Sequence, residues 1–475
     1  MKRQIKTALG RGDKIALVSL GCPKNLVDLQ VAASALRKAG FDVGVPQEDA
    51  DAILVNTCAF IESARQEAVD AIAAACAAKA DPRSRCRAVI VSGCLPQRYR
   101  GLLFEACPDV DAAVGVDDLE KVPEAVRSAL DAADGSQSGK SGAGHPEPPR
   151  CMVSPGTSRK LFTAAEPWFT LTPGPYAYLK VGEGCRHACA FCAIPGIRGR
   201  LRSRPTDVLV DEARALLEHG MRELDVIAQD VTSYGMDLRD GTDLVALLRR
   251  LDALPGQFRI RLLYGHPARC TDELLDFVAG SAHVVPYFDI PIQHASAEVL
   301  RRMARADTVR EVPRLAERIR TRVPGAVLRT TCLVGFPGET KSEFRELLDF
   351  VKAVRFDHLG AFVFSPEAGT RAASMPDQVP ERTARARVAR LMRLQAGIVS
   401  EILDSLAGTE LEVLLETPPT RKYGPWTGRA ARQAPDGIDG ITTVSHVPAS
   451  AKVGDFVRCR VTGHGDYDIE ARALP

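Results

Sequence analysis

The stretch Gly184-Cys185-Arg186-His187-Ala188-Cys189-Ala190-Phe191-Cys192 sets three thiols in a C-x3-C-x2-C spacing. Soft thiolates crowded onto one loop are ligands for an iron–sulfur cluster. A cubane cluster has four irons, so three cysteines leave one iron without a protein ligand. An open iron binds a small molecule and does chemistry on it, which is more than electron storage requires. The competing readings are a structural zinc site or three reduced core thiols. Structural zinc takes four ligands, usually from C-x2-C pairs, and His187 stands at the wrong offset to complete such a set. The spacing therefore favours the cluster.

Three more cysteines, Cys22, Cys58 and Cys94, are spaced 36 residues apart, twice. Each falls one to three residues beyond an apolar run that reads as a strand: Lys14 to Leu20, Ala52 to Asn56, and Ala88 to Ser92. Helical patterns follow at about 25–39, with Asn25 as the expected N-cap, and at about 62–79. This alternation predicts a doubly wound parallel sheet over residues 13–133. Carboxyl ends of parallel strands share one sheet edge, and ligands of open α/β sheets bind there. A second three-thiolate site is the expectation, against the alternative of three small buried hydrophobes. Cys76, Cys86 and Cys107 have no such placement and read as structural.

Residues 134–159 are rich in Gly, Ser and Pro, lack periodicity, and read as a flexible linker. From 160 to 405 strands and helices alternate again. Each strand ends in polar residues: Gln229-Asp230, His266, Gln293-His294, and Gly335 to Thr340. Such repeats build a whole or partial (β/α) barrel with function at the carboxyl-end loops. Gly335 to Thr340 lacks the Gly-Lys-Ser/Thr of a phosphate loop, so its glycines are expected to allow a tight turn beside a ligand. Five arginines from Arg186 to Arg204 read equally well as a solvated loop or as partners for carboxylates. Cys270 and Cys332 read as core. From 406 to 475 short β-rich runs broken by Gly and Pro predict a small antiparallel barrel, with Cys459 buried in a strand.

Composition narrows the class. A chain of 475 residues with 45% hydrophobic and 26% charged residues is an ordinary globular protein of about three domains. A net charge of +2 gives no global case for nucleic acid. Thirteen cysteines, an odd number with two groups of three, speak for metal ligation in a reducing, cytoplasmic setting rather than for disulfides. The basic stretch Met1 to Lys14 has no apolar segment and does not read as a signal peptide. No run of about 18 apolar residues is present, so no membrane partner is expected.

The motifs resemble a known family. Val18-Ser-Leu-Gly-Cys-Pro-Lys-Asn-Leu-Val-Asp28, Asn56-Thr-Cys58 and Ser92-Gly-Cys94 are similar to the N-terminal signature of the methylthiotransferases, within the branch that modifies a ribosomal protein. Ala228-Gln-Asp230, Phe288 to His294 and Arg329 to Thr340 resemble further motifs of that family, and the Cys185 loop resembles that of the radical S-adenosylmethionine (radical SAM) enzymes. The last segment resembles a TRAM domain. The resemblance implies two [4Fe-4S] clusters, one on Cys185, Cys189 and Cys192 that binds S-adenosyl-L-methionine (AdoMet), and one on Cys22, Cys58 and Cys94 that carries the sulfur. It implies that Phe191 lies near the adenine. It implies methylthiolation of the β-carbon of an aspartate in ribosomal protein uS12, with an electron donor such as flavodoxin. A monomer is the default. Residues 408–475 carry eight Lys/Arg against nine Asp/Glu, which suits a basic protein partner better than RNA. A tRNA methylthiotransferase and a non-enzymatic iron–sulfur or zinc protein that binds ribosomes remain the alternatives.

Overall fold

The computed structural model describes residues 12–138, 150–154, 170–421 and 424–475. The chain divides into two compact units, one of residues 1–171 with 193–200 and the other of residues 172–192 with 201–475.

The first unit is built on six parallel strands: β1 (Lys14–Ser19), β2 (Asp42–Val43), β3 (Ala52–Thr57), β4 (Ala88–Gly93), β5 (Ala112–Gly115) and β6 (Cys151–Met152). Their order is β2-β1-β3-β4-β5-β6. Strand side chains alternate between two apolar layers. Ile53, Val55, Val89 and Val91 meet Ala68, Ile72 and Ala75 of helix α2 (Glu62–Ala80). Ile15, Leu54 and Ile90 meet Leu29, Ala32 and Leu36 of α1 (Pro23–Lys38), with Val122 and Val126 of α3 (Val122–Ser138). Each such Val, Leu or Ile contributes about 1.5–3 kcal/mol on burial. Strands buried on both faces explain why β3 and β4 read as continuous apolar runs rather than alternating ones.

Two details differ from the sequence reading. The linker was expected from 134, yet α3 continues to Ser138, and Cys151–Met152 adds a sixth strand to the sheet; residues 139–149 and 155–159 of that segment lie outside the described residues. Asn25 is not the cap of α1. Cys22 holds the N-cap position with extended backbone, and Pro23 opens the helix, where its missing N–H costs nothing.

In the second unit β7 (Tyr176–Lys180), β8 (Glu223–Ile227), β9 (Arg259–Leu262), β10 (Val284–Asp289), β11 (Val327–Val334) and β12 (His358–Val363) run parallel in chain order. The sheet does not close, so the barrel is partial. Helices pack against it around one apolar core that includes Cys270 and Cys332. Gly335, with φ +82°, makes room for the helix Glu381–Asp404: a Cβ there would lie 2.4 Å from that of Ala384. Its close approach is to that helix. The chain ends in a closed five-stranded barrel of β13 (Glu410–Thr417), β14 (Trp426–Ala430), β15 (Thr442–Ser445), β16 (Phe456–His464) and β17 (Ile469–Ala473), with Cys459 inside. The α/β fold class stands: a doubly wound parallel sheet, a partial (β/α) barrel, and a small β-barrel at the end.

The small barrel seats against the amino ends of the partial barrel through buried charge. Arg429 donates to Glu223 at 2.9 Å and to Glu416 at 2.8 Å, and Arg261 donates to Glu223 at 2.9 Å. Arg259 reaches the Glu412 carbonyl at 2.7 Å, and Tyr176 donates to Asp436 at 2.5 Å. Burial raises Asp225 well above the usual carboxylate range, with the Glu223 charge adding to it, while Arg261 and Arg429 hold Glu223 low against its own burial. Among the described residues no helix is long and apolar enough to cross a membrane.

Candidate metal and cofactor sites

In the first unit the chain connects from β1 to β2 on one side and β3 lies on the other, and the crevice between β1 and β3 is where a parallel α/β sheet takes its ligand. Cys22 follows β1, Cys58 follows β3, and Cys94 opens a short helix directly after β4. Asn25 lies between them, its Oδ1 3.9 Å from Cys22 Sγ and 3.5 Å from Cys94 Sγ. Asn25 is fully buried, and its Nδ2 donates to the Thr57 carbonyl at 2.9 Å and the Leu20 carbonyl at 3.3 Å. Its backbone carbonyl accepts from Asn56 at 2.6 Å. One side chain thus ties the ends of β1 and β3 together where two of the thiols meet.

Two glycines make the convergence possible. Gly21 has φ +90°, and a Cβ on it would lie 2.6 Å from Cys58 Cβ and 3.3 Å from Cys58 Sγ. Gly93 has φ +99°, and its Cβ would lie 2.6 Å from Asn56 Oδ1 and 2.7 Å from the Thr57 carbonyl. The repeated Gly-Cys pair is therefore a packing requirement of the site. Gly21→Ala is expected to lose the iron held by this triplet, about half of the total, because the methyl group lands on Cys58 and the backbone is strained as well. Gly40→Ala, at φ +94° with nothing within 4 Å, carries the strain alone and should keep its iron. Iron per chain after anaerobic reconstitution distinguishes them.

Burial pushes the Cys94 thiol up to about 12, against the opposing charge of Arg198. Burial also raises Cys58, and a charge on Cys22 raises it further. These thiols are protonated until a metal takes the proton's place.

The second triplet follows β7. Glu183 shapes the approach to it, accepting from Lys180 at 3.0 Å, Gln229 at 3.1 Å and the Gly184 N–H at 3.2 Å. The loop is pinned at several points. Ala190 N–H donates to the Met303 carbonyl at 2.9 Å, and Arg371 donates to the Ala188 carbonyl at 2.7 Å. Arg305 Nη1 stands 3.7 Å from Cys189 Sγ. His187 bonds Asp230 at 2.6 Å and stacks on His266, ring centroids 4.0 Å apart. Asp230 is itself fixed by Thr232 N–H at 3.0 Å and by the Thr232 and Ser233 hydroxyls. Burial raises Cys185 to about 11. Phe191 packs beside Ala190, Phe336 and Phe364 in a small apolar cluster.

Both triplets suit a polynuclear cluster better than a single ion. A tetrahedral zinc with bonds of about 2.3 Å needs its sulfurs roughly 3.8 Å apart. Neither triplet brings its three sulfurs within 4.8 Å of one another; among the described residues only His187, His266 and Asp307 close to that limit. Burial, and next to it the cation of Arg305, disfavour a positive charge on His266 of that trio. Three soft thiolates at each site are the donor set of an iron–sulfur cluster. Around the second triplet several buried polar atoms lack a hydrogen-bond partner: Gln229 Oε1, both ring nitrogens of His266, His294 Nε2 and the Nε of Arg305. Buried groups of this kind call for a partner, and these lie on the segments that follow strands β8 to β10, as a polar ligand there requires.

Three stretches of the chain match known protein families. The sequence matches the Uncharacterized protein family UPF0004 over residues 14–115, the Radical SAM superfamily over 179–351 and the TRAM domain over 407–474. A protein of Geotalea uraniireducens (strain Rf4), named ribosomal protein uS12 methylthiotransferase RimO, is 42% identical over 472 residues, 98% of this chain and 99% of the relative. The protein of the same name from Trichlorobacter lovleyi is 40% identical over 461 residues, 97% and 98% of the two chains. This chain belongs to the RimO family. Among solved structures, the radical S-adenosylmethionine methyltransferase TsrM from Kitasatospora setae aligns with a TM-score of 0.50 at 18% identity, over 74% of this chain and 73% of that one, a likeness of fold. In this RimO-family chain the two triplets fall in different matched segments: Cys22, Cys58 and Cys94 in the first, Cys185, Cys189 and Cys192 in the second.

Sequence reasoning singled out the six cysteines and Phe191 and gave no part in a site to several of their neighbours. Asn25, Asp28 and Arg198 surround the first triplet, and His187, Asp230 and Arg305 the second. Asn25 and Asp28 stand in the quoted Cys22 motif, where a three-residue spacing on one helix face was the available signal.

Proposed function

We propose that this chain is a radical SAM methylthiotransferase that adds a methylthio group to the β-carbon of an aspartate in ribosomal protein uS12, with AdoMet as methyl donor and radical source. The observation that carries this reading is the pair of triplets. A radical SAM core needs one open cluster, and a second three-thiol site at the ligand edge of a separate sheet supplies what sulfur insertion adds.

In this reading Cys185, Cys189 and Cys192 hold the cluster that binds AdoMet, and Cys22, Cys58 and Cys94 hold the second. Bound there, the two [4Fe-4S] clusters and AdoMet supply the one-electron, sulfur and methyl chemistry that no side chain can perform on an unactivated C–H bond. The protein's part is to hold and to orient. Asp230 fixes the His187 ring through one nitrogen and thereby sets the face it stacks on His266. Arg305 places a positive charge next to Cys189. Phe191, with Phe336 and Phe364 behind it, offers an apolar wall for the adenine. Gln229, His266 and His294 present unpartnered polar atoms for the rest of AdoMet or for the substrate carboxylate. Electrons come from a low-potential donor such as a flavodoxin.

The test pairs two substrates. Reconstituted enzyme with AdoMet and a reductant is incubated with uS12 in one reaction and with unmodified tRNA in another, and each is weighed by mass spectrometry. A methylthio group on uS12 alone is the expected result. Modification of tRNA alone would overturn the choice of substrate and leave the chemistry standing.

A further inference from the structure

We propose that Arg198 is a positioning residue for the sulfur-delivering centre, its guanidinium held by Asp28 and Asn25 so that it donates a hydrogen bond to the sulfur of Cys94 once that sulfur is a metal-bound thiolate. The proposal rests on the reading that Cys22, Cys58 and Cys94 hold a cluster.

Arg198 follows Cys192 by six residues, at the end of a short helix, Ile194–Arg198. This segment, residues 193–200, belongs to the first unit. Ile197 joins that unit's apolar layer beside Val55, Val91 and Cys94. Arg198 is 1% exposed, one of the largest fully buried side chains of the protein. Its Nη2 lies 2.8 Å from Asp28 Oδ2, 2.6 Å from Asn25 Oδ1 and 3.2 Å from Cys94 Sγ. Asp28 is equally buried.

A buried ion pair is a poor way to stabilise a fold. Taking two charges out of water is costly, and an apolar pair of the same volume would serve the core as well. The placement is better explained by the sulfur. An Nη2 nitrogen carries two hydrogens and here faces three acceptors. A protonated thiol is the weakest of the three. Metal binding removes the Cys94 proton, and the thiolate then becomes a strong, charge-assisted acceptor at the same position. Asn25 turns its oxygen toward both Cys22 and Cys94, which opposes negative charge on them; Arg198 offsets that. Asp28 holds the guanidinium through Nη2 and balances its charge. Hydrogen bonds and charge at ligating sulfurs tune iron–sulfur potentials, and a donor at Cys94 favours the reduced, more negative state. Arg198 therefore raises the potential of this cluster, and Asp28 tempers the effect.

The opposite signs give the test. In the full-length chain carrying Cys185→Ala, Cys189→Ala and Cys192→Ala, only the cluster on Cys22, Cys58 and Cys94 remains. Its midpoint is read by redox titration followed by electron paramagnetic resonance, and its iron by chemical assay. Arg198→Gln is expected to lower the midpoint, or to lose the iron while the apo protein melts unchanged. Asp28→Asn is expected to raise it. An Arg198→Gln protein with full iron and an unshifted midpoint overturns the proposal. Should Arg198→Gln lower apo melting, Asp28→Asn decides: an upward shift supports the proposal, and an unshifted or lower midpoint overturns it. A parent chain that binds no iron, while the unsubstituted protein binds about four per chain, would instead overturn the two-cluster reading.

Discussion

Cys58→Ala is expected to halve the iron, from about eight to about four per chain, to preserve reductive cleavage of AdoMet, and to abolish methylthio transfer. Cys58 is buried, and it is the residue for which Gly21 gives up a side chain. The alanine fits the space, so the sheet survives. Two thiols at this edge do not replace three. Loss of an outer partner of a metal site already costs roughly 10–100-fold, and loss of a ligand costs more. Cys185→Ala should give the complementary result: about half the iron again, with AdoMet cleavage and transfer both lost. Cys86→Ala is the control. Cys86 is also buried, but it spends its thiol on the Ala88 carbonyl at 3.5 Å, and its substitution should leave iron unchanged. Iron analysis, 5′-deoxyadenosine by chromatography and the mass of uS12 separate the three. Full iron in Cys58→Ala would falsify the assignment of the second triplet.

What the sequence disclosed follows from periodicity. Parallel strands buried on both faces leave short apolar runs, and the residue after such a run is at the ligand edge. That rule placed Cys22, Cys58 and Cys94 together without any contact being known. It could not say that Asn25, whose type and position suit a helix cap, turns inward to bridge β1 and β3. Capping is a local preference, and burial at the sheet edge overrode it. Arg198 was one of five arginines with equal claims, because nothing in Arg198-Gly-Arg-Leu-Arg-Ser-Arg204 marks which side chain is buried. Two strands of the small barrel, β14 and β17, went unread. Trp426–Ala430 and Ile469–Ala473 are short; Gly428 and a buried Arg429 interrupt the first, and the exposed Glu470 and Arg472 alternate with small or apolar residues in the second. The barrel's total charge, near neutral, also hid where its charges go. Arg429, Arg432 and Asp439 turn toward the larger sheet, meeting Glu223, Asp357 and Arg329. The signal for this was present in the polar alternation Tyr176-Ala-Tyr178, Glu223-Leu-Asp225 and Arg259-Ile-Arg261, which an all-apolar parallel strand does not show.

Arg429→Met should destabilise the second unit by about 3–5 kcal/mol, the cost of removing one partner from a buried ion network. Arg429 is 1% exposed, bonds Glu223 and Glu416, and lies over the Tyr176 ring. Met fills its volume, so the loss is electrostatic. Glu223 keeps Arg261 at 2.9 Å, but Glu416 loses its cation. The pH dependence identifies the cause. Burial already raises Glu416 above its ordinary value against the pull of Arg429, and removing Arg429 raises it further; Glu223 stays beside Arg261 and is held low less strongly. A carboxyl group with a raised folded pKa costs stability as pH climbs past the unfolded value. The deficit should therefore be largest near pH 7.5 and shrink toward pH 5, and Glu416→Gln added to Arg429→Met should restore part of it at neutral pH. Denaturant unfolding at the two pH values measures this; a loss below about 1 kcal/mol, the range of exposed pairs, would mean that the network is solvated. Tyr176, Glu223, Arg259 and His358 open their strands, whereas the cysteine loop follows the carboxyl end of β7. Arg429→Met should thus retain its iron and its AdoMet cleavage at temperatures where it stays folded. The charged layer holds the small barrel in place from the end of the sheet opposite the chemistry, so transfer to uS12 falls in that variant only as far as docking of the substrate depends on that barrel.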